Sequence, residues 1–104
     1  MIAADLRRLM GIPGLAGHEH RVRAALAEAM PVPTRSDPMG NLIATFPGHG
    51  PAVMLFTHMD QLGLIVRKVE ADGLSRVHRV GGVPERALPA REVVLMTEAG
   101  DVPG

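Results

Sequence analysis

The sequence predicts an α/β protein in which two helices are followed by a series of strands. The first 30 of the 104 residues carry apolar side chains at helical spacing, and short apolar runs broken by Gly and Pro follow from about position 40. There is no cysteine, so disulfides and thiolate metal sites are excluded. A chain of this length is sufficient for one small domain.

Two helices are predicted before position 31. Apolar residues recur at i, i+4, i+7 and i+8 from Ile2, on one helix face, and Gly11 ends this segment. A second amphipathic helix is expected from about His18 to Met30. Pro31 and Pro33 end it, because proline cannot continue a helix.

Strands are predicted after a turn at 34–40. Residues 41–46 are expected to form one strand. Residues 52–57 are almost continuously apolar, which predicts a strand buried on both faces of a sheet. Together with the helices, these strands would form an α/β core.

The last 40 residues predict strands without helices. Residues 62–69 and 74–80 flank Asp72-Gly73, the sequence of a hairpin turn. Residues 92–97 predict a final strand, followed by a turn at 99–101 and no returning strand. Such a strand would leave an unpaired edge, so the chain is expected to be a truncated piece of a larger sheet.

The composition excludes several classes of function. Eleven basic and eleven acidic residues give zero formal net charge, which argues against nucleic-acid or anionic-membrane partners. With two Phe and no Tyr or Trp, platforms for base stacking are not expected. Neither a signal peptide nor a membrane-spanning run is evident, and a cytoplasmic location is expected.

His58 and Asp60 are the candidate functional residues. They follow the apolar run 52–57, where open α/β sheets place their ligands. Alternation along a strand would put both side chains on one face. Imidazole is a good zinc ligand, and a neighbouring carboxylate can orient it. The alternative, from these residues alone, is a loop with a hydrogen-bonded histidine.

Several motifs resemble one enzyme family in order and spacing over essentially the whole chain. The run from Gly48 to Val66 is similar to zinc aminopeptidases of the glutamyl and deblocking (tetrahedral) family, sometimes labelled cellulase M-like. Further matching landmarks are Ile12-Pro13-Gly14 with Gly17 and Glu19, the segment Asp37 to Ala44, Gly81-Gly82, Arg86, Leu88-Pro89 and Val102-Pro103-Gly104.

The resemblance implies an N-terminal piece of a metallo-aminopeptidase. Residues 1–63 would belong to the catalytic α/β domain, and residues 64–104 would begin an inserted β-rich oligomerisation domain. Members use two divalent metal ions, zinc or cobalt, to remove N-terminal residues from peptides, and they form homo-oligomers. By match to the motif, His58 is a metal ligand and Asp60 is the carboxylate that steadies the catalytic site.

The same resemblance implies that the chain alone is inactive, since the family's other metal ligands and its general base would lie beyond position 104. Gln61 departs from the glutamate most common there, which affects tuning and not the ligand. The alternative function is a non-catalytic module that pairs through the edge at 92–97, or the remnant of a decayed gene. The remaining histidines are expected on the surface: His18, His20, His49 and His78.

Overall fold

The computed structural model describes residues 2–104, which divide into two compact units between Asp60 and Gln61. The first unit contains two helices and a short hairpin, and the second contains two hairpins joined by a 3-10 turn. Within residues 2–104, no helix is both long and apolar enough to cross a lipid bilayer.

The two predicted helices are both present. Helix α1 covers Ile2–Met10 and helix α2 covers His20–Ala29. After α2, Met30 turns to extended backbone with ψ of 133° while its N–H still donates to the Leu26 carbonyl. This ending follows from Pro31, because a proline disfavours helical backbone in the residue before it.

The buried part of the first unit is small and lies where α2 meets the loop that precedes it. Val22 is 5% exposed and Leu15 is 9% exposed. By contrast, the apolar stripe of α1 is solvent-facing, with Ile2, Leu6 and Met10 all exposed. Stability in this unit therefore depends on few side chains, and each of them matters more than it would in a large core.

A short hairpin follows α2 in the first unit. Strand β1, Thr34–Ser36, pairs antiparallel with β2, Leu42–Ala44, in register Ser36 with Leu42. The predicted strand at 41–46 is thus confirmed in its centre. The prediction that 34–40 is all turn was wrong at 34–36, since these residues gain a backbone partner in β2.

The turn between these strands is organised by Asp37. Its Oδ1 accepts hydrogen bonds from the backbone N–H groups of Met39 and Asn41, at 3.0 and 2.9 Å, and its Oδ2 accepts from Asn41 Nδ2 at 2.8 Å. Gly40 has φ of +87°, and its carbonyl accepts from Arg23 Nη1 at 3.0 Å, which ties the turn to α2.

The predicted strand at 52–57 is not formed. Residues 52–60 have no regular secondary structure, and Leu55 and Phe56 are 91% and 92% exposed. A strand needs a neighbouring backbone to satisfy its N–H and C=O groups. No segment within 2–104 pairs with 52–57, so the prediction of burial on both faces was wrong for this chain.

The second unit begins with the predicted hairpin. Strand β3, Gly63–Val69, pairs antiparallel with β4, Ser75–Val80, and Asp72-Gly73 lies in the turn. The register shifts between Val66 and Lys68, because Arg67 is an extra residue in β3. This bulge places Val69, and not Lys68, on the same face of the ribbon as Val66 and Val77.

The end of the second unit corrects another prediction. A 3-10 turn, Glu85–Ala87, precedes β5, Val94–Thr97, and β5 pairs with a returning strand β6, Gly100–Pro103. Backbone bonds between Val93 and Gly104 extend this ladder. The expected absence of a returning strand was therefore wrong, because the reversal needs only Glu98 and Ala99 before β6 begins. Asp101, expected in the turn, lies in β6 opposite Met96.

Candidate metal-ligand site

The structure brings His58 and Asp60 into direct contact. His58 Nδ1 lies 2.9 Å from Asp60 Oδ1 and 3.2 Å from the Asp60 carbonyl oxygen. Both acceptors belong to one residue, two positions along the chain. Since no strand is formed there, this local hydrogen bond, and not strand alternation, brings the two side chains together.

The hydrogen bond fixes which ring nitrogen of His58 is free. A carboxylate and a carbonyl oxygen can only accept, so Nδ1 carries the proton and donates it. In the neutral ring, Nε2 then holds a lone pair, and the His58 side chain is 83% exposed. This is the arrangement in which a carboxylate orients a histidine that binds metal through its other nitrogen.

The segment that carries the pair runs close to the loop before α2. Gly14 is buried, and a Cβ added to it would lie 2.6 Å from Val22 Cγ2 and 3.7 Å from the Met59 carbonyl oxygen. Glycine is therefore needed for this approach, since any side chain would force Val22 or the loop to move. The backbone of Met59, between His58 and Asp60, thus lies close to position 14.

Glu19 adds a second carboxylate near the pair. The pKa of its carboxyl is lowered, chiefly by the hydrogen bond from the Gly17 N–H at 2.8 Å and then by its own backbone N–H. The negative charge of Asp60 acts in the opposite direction on this pKa, which places the two carboxylates within electrostatic range. Sequence reasoning named Glu19 and Gly14 as landmarks but gave them no role.

The remaining candidate ligands do not gather around His58. Within residues 2–104, no three side chains of His, Cys, Asp or Glu come together in a way that could hold a metal ion. The other four histidines are exposed, as expected: His18, His20, His49 and His78. The described part of the chain therefore offers one well-oriented nitrogen donor at this site, and not a complete coordination sphere.

The chain also matches one known protein family. The family model of M42 glutamyl aminopeptidases matches residues 40–104, which include both His58 and Asp60. The chain belongs to the M42 glutamyl aminopeptidase family. The resemblance predicted from the motifs is confirmed, and the family consists of aminopeptidases, which are hydrolases.

Relatives and solved structures agree with this M42 assignment. The chain is 34% identical over 100 residues to the lysyl aminopeptidase of Pyrococcus furiosus, a match that covers 92% of this chain and 29% of that protein. It matches the TET1 peptidase of Pyrococcus horikoshii with TM-score 0.90 and 29% identity, over 100% of this chain and 32% of that one. The dodecameric PhTET1-12s structure gives TM-score 0.91 and 28% identity, over 99% and 32%.

These matches confirm the α/β fold class of the M42 chain. They also show that the chain spans about a third of the length of the relatives it matches. The Pyrococcus horikoshii peptidase assembles into a tetrahedron or a large octahedral shell, so homo-oligomers occur among the structural neighbours.

Proposed function

We propose that this M42 chain supplies the first metal ligand of an aminopeptidase, through Nε2 of His58, with Asp60 orienting the ring. The observation that supports the proposal is the 2.9 Å contact between His58 Nδ1 and Asp60 Oδ1, which leaves Nε2 free at an exposed position. When bound, divalent metal ions such as zinc or cobalt supply an activated water and polarise a scissile carbonyl.

The donor set fits a partial site. Neutral imidazole is a common zinc ligand, but characterised zinc sites use three or four protein ligands, and one is at hand here. The role of this chain is to hold Nε2 of His58 in place for the metal and to keep the proton of the ring on Nδ1. We infer that the 104 residues alone bind zinc weakly and do not hydrolyse an aminoacyl anilide. Peptides would be substrates of the complete enzyme.

Two further expectations belong to the same proposal. Residues 64–104 would begin the inserted β-rich domain, and the complete enzyme would be a homo-oligomer, as the TET1 peptidase is. The alternative, a non-catalytic module that pairs through its sheet edge, was based on a final strand without a partner. β6 pairs with β5 on one side only, so within residues 2–104 the other edge of β5 has no strand partner, and the alternative stays a proposal.

The test is zinc titration calorimetry on the 104-residue chain, comparing wild type with His58→Ala and with His49→Ala. His49 is a matched control because it is also exposed and lies outside the His58–Asp60 pair. We expect weak binding that is lost in His58→Ala and retained in His49→Ala. Binding that is the same in His58→Ala as in wild type would refute the ligand assignment. A tight stoichiometric site, or hydrolysis of the anilide, would refute the claim that the site is partial.

A further inference from the structure

The motif between the two helices has no role in the proposed function. It consists of Ile12-Pro13-Gly14, Gly17 and Glu19, and it forms the loop that connects α1 to α2. We call residues 11–19 the support loop. Two of its positions are unusual for a surface connection, because Gly14 is buried and Gly17 has φ of +83°.

The support loop contacts the segment that carries the site. At Gly14 the loop passes so close to α2 that an added Cβ would lie 2.6 Å from Val22 Cγ2. The same added Cβ would lie 3.7 Å from the Met59 carbonyl oxygen, an ordinary van der Waals distance. Since Val22 is buried and β-branched, it has little freedom to give way. A side chain at position 14 would therefore meet both α2 and the backbone of Met59.

Glu19 fastens the C-terminal end of the support loop. Its Oε1 accepts the Gly17 N–H at 2.8 Å, and the residue itself stands at the N-cap position of α2 without capping the helix. The side chain thus bonds back into the loop and not forward to the helix, where the shorter side chains preferred at an N-cap bond. Its effect is to hold the left-handed turn at Gly17.

We propose that Glu19 is a positioning residue for the His58–Asp60 pair. By holding the turn at Gly17, Glu19 keeps the support loop packed through Gly14 on Met59, and this packing fixes the backbone from which His58 and Asp60 project. The charge of its carboxylate also acts on Asp60 through space. The inference rests on the proposed role of His58 as a ligand.

The experiment uses a readout that needs no metal. Long-range proton–nitrogen NMR on the metal-free chain reports which nitrogen of His58 carries the proton, and wild type is expected to hold it on Nδ1. In Glu19→Ala we expect a mixture of the two tautomers and a zinc affinity about 10-fold lower, as for other residues that orient ligands. Glu28→Ala is the matched control, because it removes an exposed carboxylate from the other end of α2.

Glu19→Gln separates the hydrogen bond from the charge. Glutamine keeps an oxygen that can accept from Gly17 N–H, so it should restore the Nδ1–H tautomer. Only the part of the zinc affinity that depends on charge should stay reduced. Circular dichroism shows whether each variant folds. If Glu19→Ala does not fold, Glu19→Asp takes its place, since the shorter side chain keeps the charge and withdraws the acceptor from Gly17.

The outcomes separate this inference from the proposed function. An unchanged His58 tautomer and zinc affinity in folded Glu19→Ala or Glu19→Asp would overturn the positioning role, even where His58→Ala abolishes binding. A tautomer change as large in Glu28→Ala would overturn it as well. If Glu19→Ala shifts the tautomer while zinc binding never depended on His58, the positioning role stands and the ligand assignment fails.

Discussion

His58 Nδ1 donates a hydrogen bond to Asp60 Oδ1 over 2.9 Å, between residues only two positions apart. The pair therefore needs no long-range contact to form, although a Cβ added to Gly14 would reach the Met59 carbonyl oxygen between them. This relationship determines which imidazole nitrogen is available to a cation. It also makes the contribution of Asp60 measurable separately from that of His58.

Replacing Asp60 with Asn should weaken zinc binding without abolishing it. The amide removes the negative charge beside His58, and its oxygen accepts from Nδ1–H more weakly than a carboxylate does, so the preference for the Nδ1–H tautomer is reduced. We expect an affinity about 10-fold lower in calorimetry. Asp72→Asn is the control, since Asp72 accepts from Leu74 N–H in the β3–β4 turn and should leave zinc binding unchanged. Equal affinity in Asp60→Asn and wild type would contradict the orienting role.

The Asp37 turn should make stability depend on pH in the acid range. The pKa of Asp37 is lowered from its ordinary value of 3.8, chiefly by the hydrogen bond from the Asn41 side chain and then by backbone N–H groups. A lowered pKa in the folded state stabilises the fold above the unfolded pKa, and the contribution is lost as pH falls through the folded pKa. Thermal melts of wild type should therefore lose stability below about pH 4.

Asp37→Asn provides the comparison for that pH dependence. The substitution removes the ionisable group, so the melting temperature should be lower than in wild type at pH 7 and should fall less between pH 5 and pH 3. Asp5→Asn is a suitable control, because it removes an exposed carboxylate from α1 and leaves the Asp37 turn intact. If the melting temperatures of wild type and Asp37→Asn fall equally between pH 5 and pH 3, the Asp37 turn is not the source of the pH dependence.

Gly40→Ala should destabilise the first unit. Gly40 has φ of +87°, and an added Cβ would lie 2.8 Å from Arg23 Nη1, which donates to the Gly40 carbonyl. Left-handed backbone costs a residue with a Cβ about 1–2 kcal/mol, and the displaced arginine adds to this. Urea unfolding measures the free energy of unfolding. Gly48→Ala is the matched control, because a Cβ added to Gly48 would meet nothing within 4 Å and the φ of Gly48 is not positive. This substitution should change the free energy of unfolding little.

The exposed apolar segment at 53–56 should promote self-association. Four consecutive apolar residues are each more than 80% exposed: Val53, Met54, Leu55 and Phe56. A continuous exposed apolar patch of this kind is unusual on a protein surface. We expect Leu55→Lys to lower light scattering and the binding of a hydrophobic dye, with helix content unchanged by circular dichroism. Val69→Lys, at an exposed position on β3, tests whether any added charge has this effect. Equal light scattering by wild type and Leu55→Lys would show that the chains do not associate through residues 53–56.

The sequence by itself determined much of the local structure and the family. Helical periodicity located α1 and α2, Asp72-Gly73 located the β3–β4 turn, and the motif around His58 identified the family. These features depend on residues close together in the chain, where spacing and turn chemistry act directly. The motif also singled out His58 and Asp60, but a local hydrogen bond, and not the expected strand alternation, brings their side chains together.

Only the tertiary structure decided which segments find partners. The apolar run at 52–57 has the composition of a buried strand, but its backbone pairs with nothing in residues 2–104. Conversely, 34–36 became a strand because Leu42–Ala44 lies opposite, and β6 formed because β5 could accept it. The sequence pattern likewise did not predict that position 14 lies close to both Val22 and Met59. Strand pairing and close packing depend on residues distant in sequence, so propensity alone does not determine them.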